Sequence, residues 1–103
     1  KLKMCRAYIN LHLPGYPGDW HIDGPGLGPT IIIYINKKWD TRWEGQTAFY
    51  TNINKKEIKY IDFIPGRIVL FEPKIMHRAC DLSNYANMEC VRRYTLAFHT
   101  YFE

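Results

Sequence analysis

The sequence predicts an all-β domain, folded as a barrel or a two-sheet jelly roll. Three observations carry that reading. β-Branched and aromatic residues dominate a chain that is 47% hydrophobic and 16% aromatic. Turn residues recur about every ten positions. No stretch carries a convincing helical period.

The elements follow in order. Strands are expected at 4–12, 19–23, 30–36, 46–51, 57–63, 67–72, 76–80 and 93–102, eight in all. Leu13-Pro14-Gly15-Tyr16-Pro17-Gly18 parts the first two, and Gly24-Pro25-Gly26-Leu27-Gly28-Pro29 parts the second from the third. Asn52-Ile53-Asn54-Lys55-Lys56 joins the fourth to the fifth. Pro65-Gly66 has the residues of a type II turn, because Pro presets the first central φ and Gly accepts the positive second one. The prolines fall outside strand interiors, where a ladder would need their missing N–H. Ile31-Ile32-Ile33 is apolar on both faces, which marks a central strand rather than an edge. Lys37–Glu44 and Leu82–Cys90 each leave room for one helical turn.

Length and charge bound the function. A chain of 103 residues fits one compact domain, so 1–103 is read as a single unit. The start Lys1-Leu2-Lys3-Met4-Cys5 is not a signal peptide, and the missing initiator Met leaves room for a longer parent chain. No apolar run approaches a membrane span. Fourteen basic against ten acidic residues give a net charge of +4, which permits an acidic partner without demanding one. Three cysteines without C-x-x-C spacing read as reduced thiols in a cytoplasmic setting, with a Cys80–Cys90 bridge as the alternative. Gly24 to Gly28 is not a phosphate loop, since Pro25 removes an amide donor and no helix or Lys-Ser/Thr follows.

The chemistry lies in His21-Ile22-Asp23. Residues two apart on a strand share a face, so an imidazole and a carboxylate converge while Ile22 points away. A metal needs a third donor from a distant strand, and His77 in Ile75-Met76-His77-Arg78 supplies one. Two histidines and one carboxylate form the facial triad of non-haem Fe(II) oxygenases. By itself H-x-D is a weak signal, as common in exposed polar pairs. His12 and His99 are read as polar lining or surface residues. Arg92-Arg93-Tyr94-Thr95 opens the last strand, and Arg93 shares a face with Thr95. A guanidinium beside a hydroxyl suits a carboxylate, although composition does not say which arginine points inward.

From about Met4 to Phe102 the chain resembles the Fe(II)/2-oxoglutarate-dependent oxygenases, in their prolyl-4-hydroxylase-like branch. The residues that carry the likeness are His21-Ile22-Asp23, Thr30-Ile31-Ile32-Ile33-Tyr34-Ile35-Asn36, Trp39 and Trp43-Glu44-Gly45. Pro65-Gly66-Arg67-Ile68-Val69-Leu70-Phe71, His77 and Arg93-Tyr94-Thr95-Leu96 complete the ordered set. The resemblance implies a double-stranded β-helix of eight core strands. It implies that His21, Asp23 and His77 ligate Fe(II). It implies that Arg93 rather than Arg92 pairs with the distal carboxylate of 2-oxoglutarate, helped by Tyr34 and Thr95, with Thr47 lining the pocket. The implied reaction uses O₂, hydroxylates a C–H bond and releases succinate and CO₂, with ascorbate in a supporting role. The two histidines must be neutral to ligate, so metal binding should weaken in acid.

The chain departs from the family in three places. Glu44-Gly45 stands where Gly-Gly is usual, the stretch from His77 to Arg93 is long, and no helices precede the first strand. Leu82 to Cys90 is expected to be a surface loop, and Gly24 to Pro29 a candidate lid. Tyr8, Asn10 and His12 share a face that lines the pocket, opposite Leu11 and Leu13. The expected partner is a peptidyl, prolyl-like substrate or a small molecule. An oxidative nucleic-acid demethylase is the alternative. Lys37-Lys38 and Lys55-Lys56 favour it weakly, and His99 counts against it by standing where a second arginine is usual. A metal-binding jelly roll without catalysis is the third reading. The sequence leaves the oligomeric state open.

Overall fold

The computed structural model describes residues 1–24 and 28–103. Among the described residues seven strands form two antiparallel sheets: β1 (Leu2–His12), β2 (Thr30–Tyr34), β3 (Thr47–Asn52), β4 (Glu57–Ile61), β5 (Ile68–Phe71), β6 (His77–Ala79) and β7 (Arg93–Phe102). One sheet runs β1-β7-β2-β5 and the other β4-β3-β6. Crossovers between the sheets give the jelly-roll architecture expected from the sequence, with β2 at the centre of its sheet.

The stretch expected as the second strand, 19–23, forms one bridge rather than a strand. His21 and His77 exchange both backbone hydrogen bonds, at 3.0 and 2.9 Å. On either side the pairing slips: Gly18 N–H donates to the Ala79 carbonyl and Asp23 N–H to the Pro73 carbonyl. Pro73 has no N–H to return and Pro17 has none to offer, so the ladder stops after one rung. The segment still lies along the free edge of β6, which puts His21 beside His77.

Register fixes which side chains face inward. Across the larger sheet Tyr8 pairs with Ala97 and Ala97 with Ile32; one row on, Asn10 pairs with Thr95 and Thr95 with Tyr34. His12 pairs with Arg93. With period-two alternation these rows face the second sheet. The alternate rows, Ile9-Leu96-Ile33-Ile68 and Ala7-Phe98-Ile31-Leu70, face outward. That outer face is apolar yet open at its edges, Ile9 and Ile68 being 63% and 64% exposed. The triple isoleucine therefore marks the centre of a sheet, but not a strand fully covered on both sides.

Pro65-Gly66 turns as its chemistry requires. Gly66 has φ +81° and Arg67 N–H donates to the Ile64 carbonyl at 3.0 Å. The 82–90 stretch does more than loop over the surface. Ser83 caps a short helix α1 (Asn84–Met88), its hydroxyl accepting from Ala86 N–H. Leu82, Ala86 and Val91 are buried against Trp39 and Trp43. This apolar cluster lies against a 3₁₀ turn at Thr41–Trp43.

Glu44 follows that turn at φ +62°, ψ −124°, a conformation that favours glycine. This is where the family usually has its first glycine. Relief of about 1–3 kcal/mol of strain should outweigh the ~0.5–1 kcal/mol entropic penalty of glycine. Glu44→Gly is therefore expected to raise the thermal midpoint by about 4–8 °C, read by a melt. A lowered midpoint would show that the backbone here is unstrained.

Candidate functional site

Three expected ligands meet. The nearest donor atoms of His21, Asp23 and His77 lie within 4.8 Å of one another. Asp23 Oδ1 is 3.5 Å from His21 Nε2 and 3.6 Å from His77 Nε2. The tautomers follow from the partners. His21 Nδ1 donates to the Asp19 carbonyl at 2.7 Å and His77 Nδ1 to the Ile75 carbonyl at 2.9 Å. A carbonyl only accepts, so each Nδ1 carries the proton and each Nε2 lone pair faces the other ligands. Phe71 and Phe49 pack round the His77 ring, with centroids at 4.6 and 5.9 Å. Burial there holds His77 below the usual histidine range, which keeps it neutral. Two imidazole nitrogens and one carboxylate oxygen fit Fe(II).

Arg93 lies in the same cavity and is only 2% exposed. Its Nε donates to the Gly45 carbonyl at 2.8 Å and its Nη2 to Thr47 Oγ1 at 3.0 Å. Nη1 stands 3.5 Å from His12 Nδ1. Among the described residues no carboxylate pairs with it. A buried guanidinium without an acid is costly, and burial accordingly pulls its pKa down. The guanidinium is thus placed where it could pair with an anion from outside. Arg92 is exposed on the other face, which settles the direction that composition left open.

The cavity holds about 160 Å³, small beside drug-sized pockets of roughly 300–1,000 Å³. Tyr8, Asn10 and His12 line it, as their shared strand face predicts, and so do Thr47 and Thr95. Tyr34 does not. Its fully buried ring stacks on Phe63, and its hydroxyl reaches Thr47 Oγ1 at 2.7 Å. It touches the cavity through Thr47 rather than directly. His99 hydrogen-bonds the Tyr8 hydroxyl at 2.7 Å. All three cysteines are free thiols, so the Cys80–Cys90 bridge does not form. The Gly24–Pro29 segment, expected as a candidate lid, lies partly outside the described residues.

Two contributors escape sequence reasoning. Gly45 gives Arg93 its carbonyl, and a Cβ there would come within 2.6 Å of Leu82; the glycine of Glu44-Gly45 is the signal that could have found it. Thr30 donates from Oγ1 to Asp23 Oδ2 at 2.8 Å. Nothing distinguishes its hydroxyl in sequence from other strand threonines.

Burial, reinforced by the Arg93 charge, holds His12 below its ordinary value of 6.5. The unfolded chain then binds a proton that the fold resists. Stability is full above about pH 6.5 and falls as pH drops through the depressed folded value. The melting midpoint of metal-free protein should fall between about pH 7 and pH 5, and His12→Asn should flatten that slope. An identical slope in the variant would remove His12 from the account.

Residues 7–101 match the 2OG-Fe(II) oxygenase superfamily. No curated protein matches the chain. Among solved structures, a 2OG-Fe(II) oxygenase family oxidoreductase from Burkholderia pseudomallei aligns with a TM-score of 0.79 at 13% identity, over 98% of this chain and 44% of that one. A prolyl hydroxylase from Trichoplax adhaerens, in complex with a hypoxia inducible factor oxygen degradation domain peptide fragment, aligns with 0.75 at 22% identity, over 96% and 44%. A Pseudomonas putida prolyl-4-hydroxylase aligns with 0.73 at 16% identity, over 94% and 51%. The chain therefore spans about half the length of these structures.

Proposed function

The chain belongs to the 2OG-Fe(II) oxygenase superfamily, and from that premise we propose that it hydroxylates a C–H bond of a peptidyl, prolyl-like substrate. Fe(II), 2-oxoglutarate and O₂ are the cofactor and cosubstrates that the family implies, with ascorbate in support. One observation carries the reading. A single small cavity has the His21, Asp23 and His77 donors in its wall and also the buried, acid-free guanidinium of Arg93.

In this reading His21, Asp23 and His77 hold Fe(II), which supplies activation of O₂ when bound. Arg93 binds the distal carboxylate of 2-oxoglutarate by charge-assisted hydrogen bonds. Thr47, held by Tyr34, fixes the guanidinium, and Thr95 lies across the same cavity. The balance is one substrate C–H, one O₂ and one 2-oxoglutarate giving one C–OH, one succinate and one CO₂. Residues 1–103 act as one catalytic core.

A peptide is favoured over a nucleic acid because neither Lys37-Lys38 nor Lys55-Lys56 lines the cavity. Two of the structural relatives are prolyl hydroxylases, one of them bound to a peptide. No helix among the described residues is long and apolar enough to cross a membrane. Three free thiols fit a reducing, cytoplasmic compartment. Succinate release is the test, with Fe(II), 2-oxoglutarate and a panel of proline-containing peptides, other peptides and free amino acids. The reading expects iron-dependent release that a proline peptide stimulates. No release under any condition would overturn the enzyme, and stimulation only by non-prolyl compounds would overturn the substrate.

A further inference from the structure

We propose that Thr30 is a positioning residue that reserves one oxygen of Asp23 and presents the other to the metal. The proposal rests on the Fe(II) reading above. The two carboxylate oxygens of Asp23 are already differentiated. Oδ1 faces both imidazoles, 3.5 and 3.6 Å from their Nε2 atoms. Oδ2 is turned the other way and accepts the Thr30 hydroxyl at 2.8 Å.

Thr30 is well placed to hold that orientation. It is 2% exposed. It opens the central strand β2, paired with Phe71 of β5 on one side and His99 of β7 on the other. Its backbone is thus fixed by two neighbours, and its β-branched side chain has few rotamers. Asp23 is fixed from the other end by its N–H on the Pro73 carbonyl. With its side chain only 7% exposed, Asp23 has little water to compete for Oδ2.

The chemical consequence concerns how many donor atoms the carboxylate offers. A free carboxylate can close on a cation with both oxygens. A hydroxyl donating to Oδ2 opposes that mode and leaves Oδ1 as the single donor atom. Sites around the cation then stay available for a two-oxygen cosubstrate and O₂.

The test measures metal binding directly, under anaerobic conditions and without turnover. Fe(II) is titrated by calorimetry and Co(II) by its visible absorption, into wild type, Thr30→Val, Thr30→Ser and Asp23→Ala. Valine keeps the shape and removes the donor; serine keeps the donor. We expect Thr30→Val to bind both metals about 10- to 100-fold more weakly and to shift the Co(II) bands. Thr30→Ser should stay within about threefold of wild type and keep its spectrum. A merely structural role would lower the metal-free melting midpoint of Thr30→Val and leave the Co(II) bands in place, and that result would overturn the proposal. Equal affinity and an equal spectrum in Thr30→Val would overturn it too, while leaving the Fe(II) site standing. Binding by Asp23→Ala equal to wild type would overturn the site itself.

Discussion

Asp23→Ala and His77→Ala are each expected to reduce 2-oxoglutarate turnover at least a hundredfold and to abolish measurable Fe(II) binding. Among the described residues, three donor atoms within 4.8 Å make up the proposed ligand set. Removing one leaves a two-donor site, and mutations outside the ligand set already weaken metal sites about 10- to 100-fold. The loss should be specific. His77 lies against Phe49 and Phe71, so its alanine variant also opens a space in the packing. Asp23→Asn is the cleaner partner: it keeps volume and removes the charge. Undiminished iron-dependent succinate release in both Asp23→Asn and His77→Ala would refute the assignment.

The second large effect separates adjacent arginines. Arg93→Met should raise the 2-oxoglutarate requirement by about two to three orders of magnitude, and Arg92→Ala should leave it within about twofold. Breaking a buried ion pair from one side costs on the order of 3–5 kcal/mol, and each 1.36 kcal/mol is a factor of ten. The same burial predicts the opposite effect on stability. Without cosubstrate, Arg93 is a desolvated cation with no acid beside it among the described residues. Methionine fills similar volume without that penalty. Metal-free Arg93→Met is therefore expected to melt no lower than wild type while losing its affinity for the acid. Thermal melts with and without 2-oxoglutarate read both effects. A variant that melts lower yet responds normally to 2-oxoglutarate would reverse the account.

Much of this was legible in the chain because it depends on local rules. Period-two alternation places His21 with Asp23, and Tyr8 with Asn10 and His12, before any coordinates. Pro65-Gly66 states its turn outright. Ile31-Ile32-Ile33 announces a central strand through composition. What stayed hidden depends on register between distant segments. The 19–23 stretch looks like a strand, but Pro17 and Pro73 cut its ladder to one rung. Leu82–Cys90 looks polar and loop-like, yet its two buried residues, Leu82 and Ala86, join Val91 against Trp39 and Trp43. The resemblance implies a direct contact for Tyr34, but its hydroxyl lies on Thr47 Oγ1 and its ring on Phe63. Thr30 could not be singled out, since a hydroxyl shows its role only when its partner oxygen is located.

The central claim is that one cavity takes both Fe(II) and 2-oxoglutarate. Anaerobic addition of Fe(II) and then 2-oxoglutarate, followed by visible absorption, tests it most directly. The account predicts a weak charge-transfer band in wild type that needs both additions, vanishes in His77→Ala and requires far more 2-oxoglutarate in Arg93→Met. No band in wild type, or an undiminished band in His77→Ala, would contradict it.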